Sequence, residues 1–134
     1  MALKWYTVVV DCHDPQAQAH WWAEALDWQV VYDTPEEAVA IPQGLSEEPE
    51  AGLAAWMAHG QGLVFVPVPE GKTVKNRLHI DLAPHTSQDR DAEIGRLLGL
   101  GASRVDVGQA DDVAWTVLAD PEGNEFCVLS ARDR

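Results

Sequence analysis

The run Arg77-Leu78-His79-Ile80-Asp81-Leu82 alternates polar and apolar residues. Successive side chains of a β-strand point to opposite faces, so Arg77, His79 and Asp81 share one face and Leu78, Ile80 and Leu82 the other. The apolar face is expected to pack on a helix. An imidazole on the opposite face has two chemistries open to it. Its unperturbed pKa near neutrality suits general acid or base work, and its ring nitrogens ligate metals. A second stretch, Glu125-Phe126-Cys127-Val128-Leu129, places Glu125, Cys127 and Leu129 on one face by the same rule. His79 is the candidate acid/base; its plainer role is that of a polar residue hydrogen-bonded to a neighbour or a ligand.

The remaining histidines, His13, His20, His59 and His85, show no HxH or HExxH spacing and read as surface residues. The chain holds no GxSxG, no Walker-type loop and no GxGxxG. Cys12 and Cys127 form no CxxC pair and lie in apolar runs, so reduced, buried thiols are expected. A net charge of −13 repels polyphosphates and anionic lipid, which excludes nucleic acid and membrane surfaces as expected partners. Lys72, Lys75 and Arg77 form a small basic cluster that neutralises nearby carboxylates or holds an anion. No apolar run is long enough to span a bilayer and MALKWYTVVVD lacks the apolar core of a signal peptide, so a cytoplasmic location is expected.

These residues need elements to position them. Residues 5–11, 28–34, 36–42 and 62–69 read as strands. Asp14-Pro15 reads as an N-cap followed by proline at the first helical position, and Ala19, Trp22, Ala23 and Leu26 form a helical stripe over 15–26. Residues 43–61 are an irregular acidic loop with a helical turn at Leu53–Met57. The order then repeats. Residues 77–83 are a strand, 86–100 a helix capped by Thr86 or Ser87, and 102–108, 114–120 and 125–131 three more strands.

The halves superpose with a shift of 72 residues, which sets Val8 on Ile80, Val10 on Leu82 and Thr7 on His79. Treating GLVFV as the counterpart of EFCVL gives Leu63 and Phe65 the facing of Glu125 and Cys127. By strand parity Trp5 shares the face of Thr7. Trp22 and Trp28 are expected in the core, Trp21 partly exposed, and Trp115 on a strand whose face is not fixed. DPEGN (120–124) reads as a structural turn.

Two βαβββ modules, a strand–Asp-Pro–helix–Leu-x-Trp opening and the closing DPEGNEF resemble the vicinal oxygen chelate superfamily. That superfamily contains glyoxalase I, the bleomycin-resistance proteins and the extradiol dioxygenases. VPVPEGKTVKNRLHIDL and DPEGNEFCVL are similar to its small glyoxalase-like domain members. The resemblance implies an α+β fold. A single domain, 1–134, is built from modules at about 3–69 and 75–131, whose mixed sheets curl into a half-open barrel around a groove. It implies a homodimer as well. Metal-dependent relatives take one ligand from the first and fourth strand of each module. Carried over, those positions are Thr7, Phe65 (or Leu63), His79 and Cys127, which supply too few donors for a divalent ion. No metal or other cofactor is therefore expected.

The expected function is binding of a small organic molecule in the groove, with Trp5, Thr7, Phe65, Arg77, Glu125 and Cys127 around His79. Two enzymatic alternatives stay open: a metal-dependent lyase, isomerase or dioxygenase, and a metal-free enzyme using His79 as acid/base. A third is a dimerising partner module with a filled groove.

Overall fold

The Asp14 carboxylate accepts the Ala17 backbone N–H at 3.1 Å, and Pro15 occupies the first turn, so α1 (Pro15–Leu26) starts at the Asp-Pro pair. It stops at Asp27, a left-handed residue (φ 55°, ψ 47°) whose N–H returns to Ala23 and Glu24. The computed structural model describes residues 3–48, 50–106 and 115–134. It contains two compact units, Met1–Gly71 and Lys72–Arg134. Together they hold two four-stranded mixed sheets with helices, the α+β arrangement expected. No helix among the described residues is long and apolar enough to cross a membrane.

In the first unit, β1 (Val8–Cys12), β2 (Trp28–Asp33), β3 (Ala38–Pro42) and β4 (Leu63–Pro67) form one sheet in the order β1-β4-β3-β2. β1 and β4 run parallel; β2, β3 and β4 are antiparallel neighbours. A short helix, α2 (Leu53–Ala58), lies within the irregular segment, where the sequence predicts a helical turn. The core takes Ala19, Trp22, Ala23 and Ala25 of α1 together with Ala38, Ala40, Leu63 and Phe65 of the sheet. Trp21 meets Trp22 edge to face at 5.1 Å and is half-buried.

The register corrects one expectation. Leu63 stands opposite Val8 and Phe65 opposite Val10. Paired residues share a face of the sheet, so Leu63 and Phe65 lie on the buried face, and Thr7, Val9 and Val64 on the other. In the second unit, Phe126 stands opposite Ile80 and Cys127 opposite Asp81. Cys127 therefore corresponds to Val64, not Phe65. Ile80 follows Val8 by 72 positions, whereas Phe126 follows Leu63 by only 63. The second module is nine residues shorter between these strands; giving Phe65 the place of Cys127 amounts to an offset of 62, one residue from the 63 observed, and one residue exchanges the faces.

The second unit pairs β5 (Ile80–Leu82), β6 (Ser103–Arg104), β7 (Thr116–Ala119) and β8 (Glu125–Val128) in the order β5-β8-β7-β6, with β5 and β8 parallel. The expected strands over 102–108 and 114–120 fall partly on 107–114, outside the described residues. The strand over 77–83 is shorter than expected. Among the described residues it pairs only with β8, and residues 77 and 78 form a bend, leaving Leu78 89% exposed instead of packed on a helix.

The second long helix, α3 (Arg90–Leu100), begins four residues later than predicted. Asp89 is its N-cap, accepting the Ala92 N–H at 3.1 Å, while Ser87 is held by His85 Nδ1 in the preceding turn. Asp91 and Glu93 in the first turn favour this start through the helix dipole. Arg90 then reaches the sheet, donating to the Val128 and Leu129 carbonyls and to Thr116 Oγ1 at 2.8–2.9 Å. Ile94 and Leu97 bury α3, and Leu118, Phe126 and Val128 complete this core.

Candidate functional site

β7 and β8 are joined by Asp-Pro-Glu-Gly-Asn, which fixes where Glu125 and Cys127 point. Asp120 is buried, and its carboxylate accepts the backbone N–H groups of Glu122 and Asn124 at 3.0 Å and the Asn124 side-chain amide at 3.2 Å. Gly123, at φ 90°, closes the turn by donating to the Asp120 carbonyl. β8 leaves it with Phe126 and Val128 on the buried face and Glu125, Cys127 and Leu129 on the opposite one.

On that face the second unit carries a cavity of about 300 Å³. Trp115, Val117 and Leu129 supply an apolar wall, and Lys75, His79, Asp81, Glu125 and Cys127 the polar members. Trp115, whose facing the sequence does not fix, is a lining residue that stays 40% exposed.

His79 precedes β5 directly, and its Nδ1 stands 3.1 Å from Asp81 Oδ1. Asp81 in turn faces Cys127 across the parallel pair. Burial pushes the Cys127 thiol above its ordinary pKa, and the Asp81 charge and hydrogen bond push the same way, against a weaker pull from Lys75. A hydrogen bond thus links Cys127 and Asp81. The atoms that His79, Asp81 and Cys127 offer all lie within 4.8 Å of one another.

Glu125 is engaged differently. Lys72 Nζ donates to its Oε1 at 2.8 Å and the Asn76 backbone N–H to its Oε2 at 3.0 Å. Burial alone would raise this carboxyl; the two donors outweigh burial and hold it below the usual carboxylate range. The Asn76 contact also explains the bend before β5, because it ties the incoming chain to β8. Lys72 thus neutralises a carboxylate, as its place in the basic cluster suggests. Lys75 forms no ion pair among the described residues.

The structure brings together three of the sequence candidates, His79, Glu125 and Cys127. Arg77 lies exposed in the bend. Trp5, Thr7 and Phe65 belong to the first unit: Trp5 is 69% exposed, Thr7 donates to the Gly62 carbonyl at 3.0 Å, and Phe65 is fully buried. Phe65 is thus a core residue on the face away from Thr7, which removes it from the candidate site. Sequence reasoning omitted Asp81 from the site although the alternation of Arg77–Leu82 put it beside His79. It had no signal for Val117 as a lining residue, and placed Lys75 only in the basic cluster.

A donor set of one imidazole, one carboxylate and one thiol does not suit a hard, octahedral, oxygen-seeking ion such as Mn(II). Glu125, the other carboxylate of the cavity, has both oxygens committed to Lys72 and Asn76.

A family model described as "Glyoxalase-like domain" matches residues 7–129. No curated protein matches the chain. Solved structures do. A glyoxalase/bleomycin resistance protein/dioxygenase family enzyme from Burkholderia phytofirmans PsJN is 14% identical, covering 96% of this chain and 99% of its own, with a TM-score of 0.66. A variant of the fosfomycin resistance protein FosX from Listeria monocytogenes, complexed with Mn(II), is 10% identical over 98% of this chain and 94% of its own, with a TM-score of 0.65. The oxidase ChaP-H2 is 16% identical over 97% and 94%, with a TM-score of 0.62. At such identities the likeness is one of fold.

Proposed function

The chain belongs to the glyoxalase-like domain family, and on that premise we propose that it binds a small organic molecule in the cavity of its second module. The observation behind this reading is the lining itself. An apolar wall of Trp115, Val117 and Leu129 faces a few polar groups, the composition of a site that desolvates a ligand and orients it. Trp115 offers a flat surface for a ring, and Lys75, free of ion pairs among the described residues, offers a charge for an anionic substituent. The reading requires no Mn(II)-type centre.

A screen of planar drugs and 2-oxo aldehydes by thermal shift tests it. A binding compound raises the melting temperature of the native chain, and Trp115→Ala removes that response. A library without effect, or a response untouched by Trp115→Ala, refutes it.

A second reading has the His79–Asp81 contact in its favour. A carboxylate on one ring nitrogen orients an imidazole for proton transfer through the other, which would make the protein a metal-free enzyme. Turnover of a bound compound, lost in His79→Ala with binding retained, distinguishes conversion from sequestration.

The protein is further read as a homodimer. Leu3, Trp5, Tyr6 and Val9, in and around the edge strand β1, expose large apolar surface that a second copy would cover. Sedimentation equilibrium at the mass of one chain ends that reading.

A further inference from the structure

We infer that Glu125 is a positioning residue and not a ligand contact. With Lys72 and Asn76 it clasps residues 72–78 to β8 as a movable wall of the cavity, and through that strap it governs access to Cys127. Residues 72–79, ahead of β5, form no helix or strand, so no regular ladder of backbone bonds holds them. Side chains do so instead. Lys72 Nζ donates to Glu125 Oε1 at 2.8 Å and the Asn76 backbone N–H to Oε2 at 3.0 Å. The Asn76 side-chain amide adds a longer bond to Asn124 Oδ1 at 3.4 Å. One carboxylate thus receives two residues four positions apart, and Lys72 Nζ closes the loop between them on the Val74 carbonyl. Lys75, inside that loop, lines the cavity with Glu125 and Cys127.

The clasp is the strong contact of the strap. Surface ion pairs contribute little, because water competes for both partners. The Lys72 and Glu125 side chains are only 19% and 11% exposed, the most shielded ion pair among the described residues. Charge-assisted bonds to a shielded carboxylate are stronger than neutral ones. Apolar packing adds little, since Val74 and Leu78 are 75% and 89% exposed. A segment with so few buried apolar contacts opens locally, at a free energy well below that of global unfolding. Breaking the clasp is the main cost of that opening. The strap also bears on the thiol behind it: Cys127 is buried, and the Lys75 charge is felt there. With both Glu125 oxygens engaged, a molecule entering the cavity meets a closed clasp and no free carboxylate at that position.

Full-length protein without ligand is used, which keeps the outcome apart from the small-molecule reading. Alkylation of Cys127 by iodoacetamide at fixed pH reads the opening, located by peptide mass. Backbone amide exchange reads where it occurs. The Asn76 N–H reports the strap, and the Leu129 N–H, bonded to the Leu82 carbonyl at 2.7 Å, reports the sheet. Lys72→Met and Glu125→Gln are each expected to speed Cys127 alkylation about tenfold. Asn76 exchange should rise with it while Leu129 exchange stays as it was. The two substitutions change the charge beside the thiol in opposite senses, so electrostatics alone would speed one and slow the other. The double variant is expected to be no faster than either single one, because each alone undoes the clasp. Glu93→Gln, which breaks the surface pair with Arg96, is expected to change nothing. Opposite responses of the two variants, additive effects in the double, or Leu129 exchange rising in step with Asn76 overturns the clasp. Binding of a compound with both variants inert sinks the clasp alone. A working clasp with no compound response sinks the small-molecule reading alone.

Discussion

Asp81 stands directly across the parallel β5–β8 pair from Cys127, and its carboxylate is shared between the Cys127 thiol and His79. Two of the three influences that raise the thiol pKa therefore come from one residue, although burial is the largest. Asp81→Asn keeps the side-chain shape and removes the charge. In chelator-treated protein, the Cys127 midpoint is expected to fall towards the ordinary thiol value, read as the pH dependence of alkylation. An unchanged midpoint would leave burial as the entire cause.

Asp120 satisfies three donors of the turn that aims β8, and it is buried while doing so. Removing it strands those donors, each at a penalty of about 1–3 kcal/mol where water cannot replace the bond. Asp120→Ala is expected to lose about 3 kcal/mol in urea denaturation, a fall of roughly 10 °C in Tm for a chain of this size. A loss below about 1 kcal/mol would mean that water replaces the carboxylate and that the turn does not depend on it.

Arg90 ties the start of α3 to β7 and β8 through three acceptors. Charge-assisted bonds of this kind contribute about 1.5–3 kcal/mol when lost together with their geometry. Arg90→Met should therefore destabilise by about 2 kcal/mol. Arg90→Lys should recover less than half, because a single ammonium cannot span all three acceptors. Full rescue by lysine would show that charge alone matters.

His20 Nε2 lies 2.7 Å from Asp33 Oδ2, and this contact, followed by that from Gln16, lowers the Asp33 pKa from 3.8. A carboxyl depressed in the folded state stabilises above its unfolded value, and the contribution is lost as pH falls through the folded one. Asp33 is exposed, so the effect on stability is small and the carboxyl resonance is the better reporter. Its NMR midpoint is expected below 3.8, and His20→Ala should move it upward. A midpoint that ignores the substitution rules out the His20 contact as the main cause.

Much of this was legible in the residues. Asp14-Pro15 marked the start of α1, DPEGN marked the turn, and the alternation at His79 and Asp81 put both on one face because strand geometry leaves no other choice. Phe65 was misplaced for a definite reason. Setting it on Cys127 is an offset of 62 where the strands correspond at 63, and with Leu63, Val64, Phe65 and Val66 all apolar nothing local shows which face is buried. The start of α3 was ambiguous because Thr86, Ser87 and Asp89 all make good caps; the reach of Arg90 to β8, a long-range contact, accompanies the start at Asp89. Leu78 read as a strand residue until the Asn76–Glu125 bond bent the chain before it.

The nine-residue difference between the modules also has a practical side. Because β4 and β8 each find their place by docking alongside the first strand of their own module, the connecting chain can lengthen without re-aiming either. Residues 43–61 are thus a natural splice point within the first unit for an affinity handle or a fluorescent reporter.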